Sequence, residues 1–222
     1  MRISERGPGI GAAYSAKGFL ITFEGGEGTG KSTQVALLAG RLRAAGLEVR
    51  TAREPGGTAL GERIREVTRQ QAVASLAELF LFEAARAQLV VDLLVPSLAS
   101  GAAVILDRFF DSTLAYQGYG RGLDVSEVRW VNAIATRGVI PDLTILLDLD
   151  VDCGLSRKLG EIGQDAIGKE HRNFHERVRA GYLAMAAEEP QRWAVLDASL
   201  PQQELSERVW DVVRKRLPLH TG

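Results

Sequence analysis

Five short apolar runs divide the chain, and each is followed by residues with the spacing of a helix. The runs are almost continuously apolar, which is typical of parallel strands that are buried on both faces. They span Phe19 to Glu24, Glu48 to Ala52, Ala102 to Asp107, Leu143 to Leu149 and Arg192 to Asp197. Because helical crossovers join parallel neighbours, the pattern predicts an α/β fold, a three-layer doubly wound parallel five-stranded sheet.

Between these runs, apolar residues recur at helical intervals. The predicted helices are Lys31 to Ala45, Thr58 to Arg69, Ser75 to Ser100, Ser126 to Arg137, a helix beginning near Val151, Asn173 to Glu188, and a last helix that opens at Pro201. Ser75 with Glu78 predicts a capping box, and Ser126 predicts a second cap. Pro96 is expected to bend or end the last turn of its helix. With no linker or repeat, we predict a single domain over 18–222 after a flexible arm, 1–17.

The charge and cysteine content narrow the functional class. The formal net charge of -1 gives no excess of positive charge for nucleic acid or an anionic membrane. No apolar run reaches the roughly 18 to 20 residues that a membrane span needs. Cys153 is the only cysteine, so no intrachain disulfide can form. We therefore expect a cytoplasmic protein, with Cys153 as a small core residue. His171 and His175 share a helical face but lack the carboxylate of an H-E-x-x-H metal motif, so we expect both on the surface.

A phosphate-binding loop follows the first apolar run. The sequence GGEGTGKS, from Gly25 to Ser32, matches G-x-x-x-x-G-K-[ST] in full and lies between a predicted strand and a predicted helix. Backbone N–H groups of such a loop cradle phosphates, Lys31 is expected to reach the β- and γ-phosphates of ATP, and the Ser32 hydroxyl is expected to bind Mg2+. The predicted ATP-binding residues are Gly25, Gly26, Glu27, Gly28, Thr29, Gly30, Lys31, Ser32 and Thr33.

This loop occurs in GTPases, in ATPase motors and in small-molecule kinases. The GTPase interpretation requires an N-K-x-D element, which the sequence lacks. The motor interpretation requires an apolar strand that ends in Asp-Glu, whereas Asp107 is followed by Arg108. A strand-end carboxylate can hold Mg2+ through water or cap a turn, and we predict that Asp107 does the former.

Three polar segments are expected at the carboxyl edge of the sheet. They are Arg53 to Thr58 (REPGGT), Phe82 to Arg86 (FEAAR) and Asp107 to Gly118 (DRFFDSTLAYQG). Together they offer arginines for a phosphate, an aromatic face for a base and short polar groups for the edge of a base. Taken singly, Phe82 is equally consistent with a core residue and Arg86 with a solvated charge.

The phosphate loop, REPGGT, FEAAR, DRF-x-x-S-T-x-A-Y-Q-G and PDLTILLDLD (Pro141 to Asp150) occur in one characteristic order and spacing. In these motifs the chain resembles bacterial thymidylate kinases, from about Phe19 to the C-terminal helix. The resemblance implies a P-loop kinase-like fold with a mobile lid, and transfer of the γ-phosphate of Mg-ATP to dTMP, giving dTDP and ADP in dTTP synthesis. It also implies Mg2+ as cofactor and a homodimer.

The resemblance assigns roles to matching residues. Arg53 and Arg108 would hold the acceptor phosphate, because planar guanidinium groups bind phosphate oxygens in pairs. Glu27 would accept a hydrogen bond from the 3′-OH, and Tyr116 would crowd the sugar 2′ position. The implied dTMP-binding residues are Glu27, Arg53, Phe82, Arg86, Arg108, Ser112, Thr113, Tyr116 and Gln117.

The resemblance also implies which members of that set contact the pyrimidine base. Phe82 would stack on thymine, an interaction worth on the order of 1–3 kcal/mol for a base on an aromatic ring. Arg86 and Thr113 would meet the polar edge of the base, with Gln117 nearby.

The predicted lid, Leu159 to Lys169, departs from the family. Relatives whose P-loop lacks arginine usually supply one from an Asp-Arg-x-Glu sequence in the lid, but this chain has Ala166 at that position. The cations that could compensate are Arg157, Lys158, Lys169 and Arg172. Arg157 best matches a family position, so the predicted catalytic residues are Lys31, Arg53, Arg108 and Arg157.

Two other functions stay open at this point. One is a kinase for another nucleoside monophosphate or a deoxynucleoside. The other is a nucleotide-binding regulator that has lost catalysis, which only the altered lid favours. Turnover of a panel of monophosphates with ATP distinguishes all three.

Overall fold

The computed structural model describes residues 18–159 and 169–217. Within these ranges, five strands form one parallel sheet in the order β2-β3-β1-β4-β5. The strands are β1 (Phe19–Glu24), β2 (Val49–Arg53), β3 (Ala103–Asp107), β4 (Leu143–Asp148) and β5 (Trp193–Asp197). The predicted fold class is therefore confirmed. The predicted N-terminal arm, residues 160–168 of the predicted lid and the side chains of Lys169 and His171 lie outside the described part of the chain.

Helices cover both faces of the sheet. They are α1 (Lys31–Ala44), α2 (Ala59–Gln70), α3 (Ser75–Leu89), α4 (Val95–Ala99), α5 (Phe110–Thr113), α6 (Val125–Thr136), α7 (Val151–Leu159), α8 (Lys169–Glu188) and α9 (Gln202–Arg216). There are two π-helical stretches in the described ranges. Val90–Leu94 joins α3 to α4, and Leu114–Gly120 follows α5. No helix in the two described ranges is long and apolar enough to cross a bilayer.

The core lies on both sides of β1 because successive strand side chains point to opposite faces. Ile21 and Phe23 pack with α1 and α9 residues in one cluster. Leu20 packs on the other face with Leu89 and Leu94, from the α3 region. A third cluster joins α8 to the segment after β3. This arrangement explains why the strands read as continuous apolar runs.

The predicted helix from Ser75 to Ser100 is helical throughout, from Ser75 to Ala99, but its geometry changes in the second half. The helix changes to π geometry at Val90 and becomes α4 at Val95, one residue before Pro96. Proline has no N–H to donate to the preceding turn, and its ring conflicts with regular helix packing. A π-helical stretch accommodates the altered ladder without ending the helix.

The predicted caps also differ from the structure. Helix α3 begins after Ala74 with no side-chain cap, so Ser75 does not form the predicted capping box. Helix α6 is capped by Asp124, whose carboxylate accepts from two backbone N–H groups, and not by Ser126. Pro201 occupies the cap position and not the first helical position. A cap depends on the entering backbone direction, which short sequence patterns do not specify.

The parallel register brings the carboxyl ends of the strands to one edge. Phe23 pairs with Asp107, and Arg53 pairs with the same residue from the other side. Glu24 pairs with Leu146 on β4. The loops that follow β1, β2 and β3 therefore meet at one place, where ligands bind in open α/β sheets.

Candidate active site

The phosphate loop links β1 to α1 and encloses Lys31. The Lys31 ammonium group donates to the carbonyl oxygens of Gly25 at 3.0 Å and Gly26 at 2.5 Å, and to the Thr29 hydroxyl at 3.2 Å. Burial, with a contribution from the nearby Arg108, lowers the pKa of Lys31 to about 7. An anionic ligand in the loop would offset both effects, so the arrangement suits polyphosphate.

The loop lies directly against the backbone of α7. Gly28 has a φ of +67°, and a Cβ there would be 2.1 Å from the Gly154 carbonyl oxygen. A Cβ on Gly154 would be 2.3 Å from the Glu27 carbonyl oxygen. Real Cβ contacts are not this short, so glycine at both positions permits the close approach. Helix α7 therefore sets the position of the loop.

Ser32 and Asp107 come together across the sheet edge. The Ser32 hydroxyl donates to the Asp107 carboxylate, and both border the cavity around the loop. These are hard oxygen donors of the kind that Mg2+ prefers, and Mg2+ is usually held by one or two protein groups, water and substrate phosphates. Among the described residues there is no cluster of three His, Cys, Asp or Glu for an all-protein metal site. The pair thus fits an ion that arrives with a nucleotide.

Two cavities open at this edge. The cavity over the phosphate loop has a volume of about 320 Å³ and includes Arg53, whose side chain is half exposed and pairs with Glu62 at 2.9 Å. The second cavity, of about 680 Å³, lies over α3 and the segment after β3. Glu27, Glu54 and Arg108 line both. The two cavities therefore adjoin, with Arg108 at their junction.

Arg108 joins the phosphate loop to the second cavity. One Nη donates to the Gly25 carbonyl and the Ser112 hydroxyl, both at 3.1 Å. The other donates to the Tyr116 hydroxyl at 3.0 Å and lies 3.4 Å from the Glu27 carboxylate. The guanidinium carbon lies 4.9 Å from the centre of the Tyr116 ring. Arg108 therefore contacts three other predicted residues, Glu27, Ser112 and Tyr116.

These contacts change the acidity of two neighbours. Burial alone would raise the pKa of Glu27, but Arg108 and Lys158 outweigh it and lower that pKa to about 2. Burial raises the pKa of Tyr116 to about 12, although Arg108 opposes this. At neutral pH, Glu27 is therefore an anion that only accepts hydrogen bonds, and the Tyr116 hydroxyl keeps its hydrogen.

Arg86 is buried, which rules out a solvated helix charge. Its guanidinium group donates to Glu54 and Thr113 at 2.8 Å each, to Glu83 at 2.6 Å and to Asn132 at 2.7 Å. The two carboxylates outweigh the effect of burial and raise its pKa. Burial raises the pKa of Glu54 to about 7 even with Arg86 beside it. Arg86 thus anchors the inner wall of the second cavity.

The remaining predicted base-contacting residues line the same cavity. Phe82 is partly exposed to it, and the buried Thr113 and Gln117 border it. The Gln117 amide donates to Glu78 at 2.9 Å, and Glu78 also pairs with Arg121. Phe82 is thus a cavity residue, and the core alternative is wrong.

Some residues of the site were absent from the sequence prediction. Glu54 lies within REPGGT next to Arg53, so its motif was a usable signal. Tyr182 reaches the Ser112 hydroxyl at 2.7 Å from a position 70 residues further along the chain. No local pattern marks such a contact. Glu24, at the end of β1, bonds to both of these hydroxyls.

The four cations proposed to replace the lid arginine differ in position. Arg157 donates to the Ala198 carbonyl at 2.9 Å and lines neither cavity. Arg172 pairs with Asp152 and Glu176 on the surface. Lys158 lines the larger cavity and lies 2.7 Å from the Glu27 carboxylate. Lys169 has no described side chain, so among the other three only Lys158 borders the site.

Two smaller predictions are wrong. Cys153 is exposed and not a core residue. His175, expected on the surface, is buried beside Phe174, with ring centres 5.2 Å apart, and lines the larger cavity. Both lie on helices whose buried faces depend on packing against the phosphate loop and the segment after β3.

Residues 23–209 match the family model described as thymidylate kinase. The chain belongs to the thymidylate kinase family. It is 49% identical over 207 residues to a thymidylate kinase of Solidesulfovibrio magneticus, covering 89% of this chain and 99% of the relative. It is 51% identical over 199 residues to one of a Synechococcus species, covering 89% of this chain and 96% of that relative.

A solved structure agrees with this assignment. The crystal structure of thymidylate kinase from Ehrlichia chaffeensis superimposes with a TM-score of 0.73 at 37% identity, covering 88% of this chain and 98% of that one. The predicted family and fold are confirmed. The matched range of the thymidylate kinase model also includes the predicted lid, residues 159–169.

Proposed function

We propose that the chain is an enzyme that transfers the γ-phosphate of ATP to dTMP, giving dTDP and ADP. The supporting observation is that the phosphate-loop cavity and the larger cavity share Glu27, Glu54 and Arg108. A donor nucleotide in one cavity and an acceptor in the other would meet at Arg108. Phosphoryl transfer requires this end-to-end placement more than any covalent chemistry from the protein.

On the donor side, the loop from Gly25 to Thr33 holds the ATP phosphates through its backbone N–H groups. Lys31 exchanges its contacts with loop carbonyls for the β- and γ-phosphate oxygens. Ser32 and Asp107 hold Mg2+, which when bound neutralises charge on the phosphates. The protein itself aligns the nucleotide and surrounds its charge with fixed donors.

On the acceptor side, Arg53 and Arg108 bind the dTMP phosphate, and Phe82 stacks on the base. Thr113 and Gln117 border the polar edge of the base together with Arg86, whose donors already have protein partners.

The sugar meets two groups near the junction of the cavities. Tyr116 lies against the 2′ position and disfavours a ribonucleotide. The Glu27 carboxylate accepts from the 3′-OH, a role that its low pKa supports.

The reaction needs no general base, because the attacking phosphate oxygen is already an anion at neutral pH. Arg108 lowers the repulsion between the two anionic substrates and fixes the line of attack. Lys158 is the proposed substitute for the missing lid arginine. Its ammonium group lies next to Glu27, at the edge of the cavity that would hold dTMP, and its side chain is half exposed and can turn toward a phosphate.

A substrate panel tests the proposal. ADP release with ATP is measured for dTMP, dUMP, dCMP and thymidine, and we expect the highest kcat/KM with dTMP. A better rate with another acceptor supports the alternative kinase, and ATP binding without ADP release supports the regulator. Lys31→Met should lower turnover by orders of magnitude, because the transferring phosphate loses its contact with the ammonium group. Near-normal turnover would contradict the role assigned to Lys31.

We further propose a homodimer that works in the cytoplasm, where ATP and dTMP are available. Helices α3 and α6 pack side by side and expose an apolar face. This face consists of Leu76, Phe80, Trp130 and Ile134, which are 47% to 67% exposed. Exposed large apolar residues on two packed helices are typical of a protein interface, and we assign a second copy of the chain as its partner.

A further inference from the structure

Glu24 is a buried carboxylate that lines neither of the two cavities. It is the last residue of β1 and has no exposed surface. Its Oε1 accepts from the Phe109 backbone N–H at 2.8 Å. Its Oε2 accepts from the Ser112 hydroxyl at 2.5 Å and from the Tyr182 hydroxyl at 3.0 Å. Three donors from two distant parts of the chain therefore converge on one carboxylate.

The same two hydroxyls also contact Arg108. Its Nη1 lies 3.1 Å from both the Ser112 and the Tyr182 oxygen. A guanidinium group only donates, so both hydroxyl oxygens accept from Arg108 and direct their own hydrogens elsewhere. The two hydroxyl oxygens are 2.7 Å apart, and each carries one hydrogen. While both donate to Glu24, neither donates to the other, and if one turns toward the other, the second still donates to Glu24. An ionised Glu24, which only accepts, thus draws these hydrogens away from Arg108 and keeps the hydroxyl oxygens available to it as acceptors.

The backbone of Arg108 also needs support. Its φ is +73°, a left-handed conformation that is unfavourable for a residue with a Cβ and persists only where neighbouring contacts hold it. The Arg108 N–H donates to the Phe23 carbonyl, and the next N–H, of Phe109, donates to Glu24. Glu24 therefore restrains the peptide after Arg108 as well as its side chain.

We propose that Glu24 is a positioning residue for the phosphoryl-transfer reaction, acting on Arg108 through the Ser112 and Tyr182 hydroxyls. It touches neither substrate in this scheme. The proposal rests on the proposed function of Arg108 at the junction of the cavities. Because small displacements of an aligning group lower rates strongly, loss of the carboxylate should affect catalysis more than folding.

The first test is Glu24→Gln at pH 8, where the wild-type carboxylate is ionised. Glutamine keeps the size and one acceptor for Phe109 but turns the other oxygen into a donor. We expect kcat/KM for dTMP to fall at least about tenfold, while KM for ATP stays within about twofold. Thr22→Val is the matched control, since it removes a buried hydroxyl of β1 that bonds to Thr144 and not to Arg108. It should leave both constants near the wild-type values.

A double-mutant cycle then separates positioning from general support of the fold. In an Arg108→Ala background, Glu24→Gln should lower kcat/KM by less than about twofold, because the guanidinium group through which Glu24 acts is absent. An equal loss in both backgrounds, or a near-normal single variant, overturns the proposal. If Glu24→Gln does not fold, as judged by circular dichroism, Tyr182→Phe replaces it in the same cycle with the same criteria. Turnover of dTMP by the wild type, measured first, tests the proposed function separately.

Discussion

Arg108 is central to the site because it contacts three parts of it. These are the phosphate loop, the residues Glu27 and Tyr116 at the proposed sugar position, and the buried network that ends at Glu24. Its neighbours are arranged as donors and acceptors of fixed direction, with Glu27 on one side and Glu24 on the other. Their acidities differ for physical reasons. Glu27 lies close to two cations, which lower its pKa to about 2. Glu24 is buried near Asp111, and both effects raise its pKa to about 7.

The raised pKa of Glu24 predicts a pH dependence of stability. The folded state retains the Glu24 proton to higher pH than the unfolded state does. The resulting stabilisation is complete below about pH 4.5 and is lost as pH rises through 7. We expect the unfolding free energy of the wild type to fall relative to that of Glu24→Gln by up to roughly 3 kcal/mol between pH 5 and 8. Urea unfolding at intervals across that range measures it.

The raised pKa of Glu54 does not obscure this comparison. Glu54 titrates in the same range, but it is present in both proteins, so its contribution cancels. Parallel pH profiles for the two proteins would mean that Glu24 has an ordinary pKa.

Lys158 gives a second prediction at the residue scale. Removing its charge with Lys158→Met should lower kcat at least about tenfold with little change in KM for ATP, because charge on the transferring phosphoryl group loses a partner. Lys158→Arg should retain most of the activity. Steady-state kinetics with both substrates varied separates the two constants.

Arg172→Met is the matched control for Lys158, since Arg172 is a half-exposed cation that pairs, among the described residues, with surface carboxylates. It should stay within about twofold of the wild type. If Arg157→Met slows turnover and Lys158→Met does not, Arg157 supplies the catalytic cation. The proposal that Lys158 replaces the lid arginine would then be wrong.

At the scale of elements, the contact between the phosphate loop and α7 sets the geometry of the donor site. It is a backbone-to-backbone contact made possible by Gly28 and Gly154. At Gly154 the contribution of the helix is steric, and one turn later Lys158 adds a charge beside Glu27 of the loop. The nucleotide site therefore depends on a helix that no phosphate-binding motif includes.

Gly154→Ala should disrupt that contact although alanine favours the helix. A Cβ at this position meets the Glu27 carbonyl at 2.3 Å, so the loop or the helix must shift. We expect KM for ATP to rise at least about tenfold, as misplacement by about 1 Å can lower rates by about that much or more. Titration of ATP binding and steady-state kinetics both measure the effect.

Gly40→Ala in α1 is its matched control. A Cβ there has no neighbour within 4 Å, so only the helix preference remains. This variant should be more stable by about 0.5–1 kcal/mol and keep normal kinetics. Normal ATP binding by Gly154→Ala would show that the loop tolerates displacement.

At the scale of the whole molecule, the apolar face of α3 and α6 lies on the same helices that build the acceptor cavity. Helix α3 contributes Phe82 and Arg86 to the cavity and exposes Leu76 and Phe80. An interface there would hold α3 from outside while the Arg86 network holds it from inside. Dimerisation would then support the shape of the cavity.

Charge placed on this face should separate the proposed dimer. We expect Phe80→Glu combined with Trp130→Glu to give a monomer at low micromolar concentration, because two charges would be buried without partners. Size-exclusion chromatography with light scattering measures the mass. Leu183→Glu, an exposed apolar position on α8, is the control and should leave the mass unchanged. A wild-type monomer would refute the assembly directly.

The strands, the phosphate loop and the family were predictable because each depends on local order along the chain. A buried parallel strand needs an apolar run, and a phosphate loop needs its glycines and lysine at set intervals. Strand bounds agree within one residue for this reason. REPGGT and the segment after Asp107 could be placed at the sheet edge because parallel strands end on the same side.

Tertiary structure decided what depends on residues that are distant in sequence. The Glu24, Ser112 and Tyr182 network, the contact of Gly28 with Gly154 and the position of Lys158 beside Glu27 each join segments far apart in the chain. The change to a π-helix before Pro96 and the choice of caps likewise follow from packing. Local sequence supplies the chemical groups, but only the folded sheet brings their atoms within hydrogen-bonding distance, because that distance is set by elements from the whole domain.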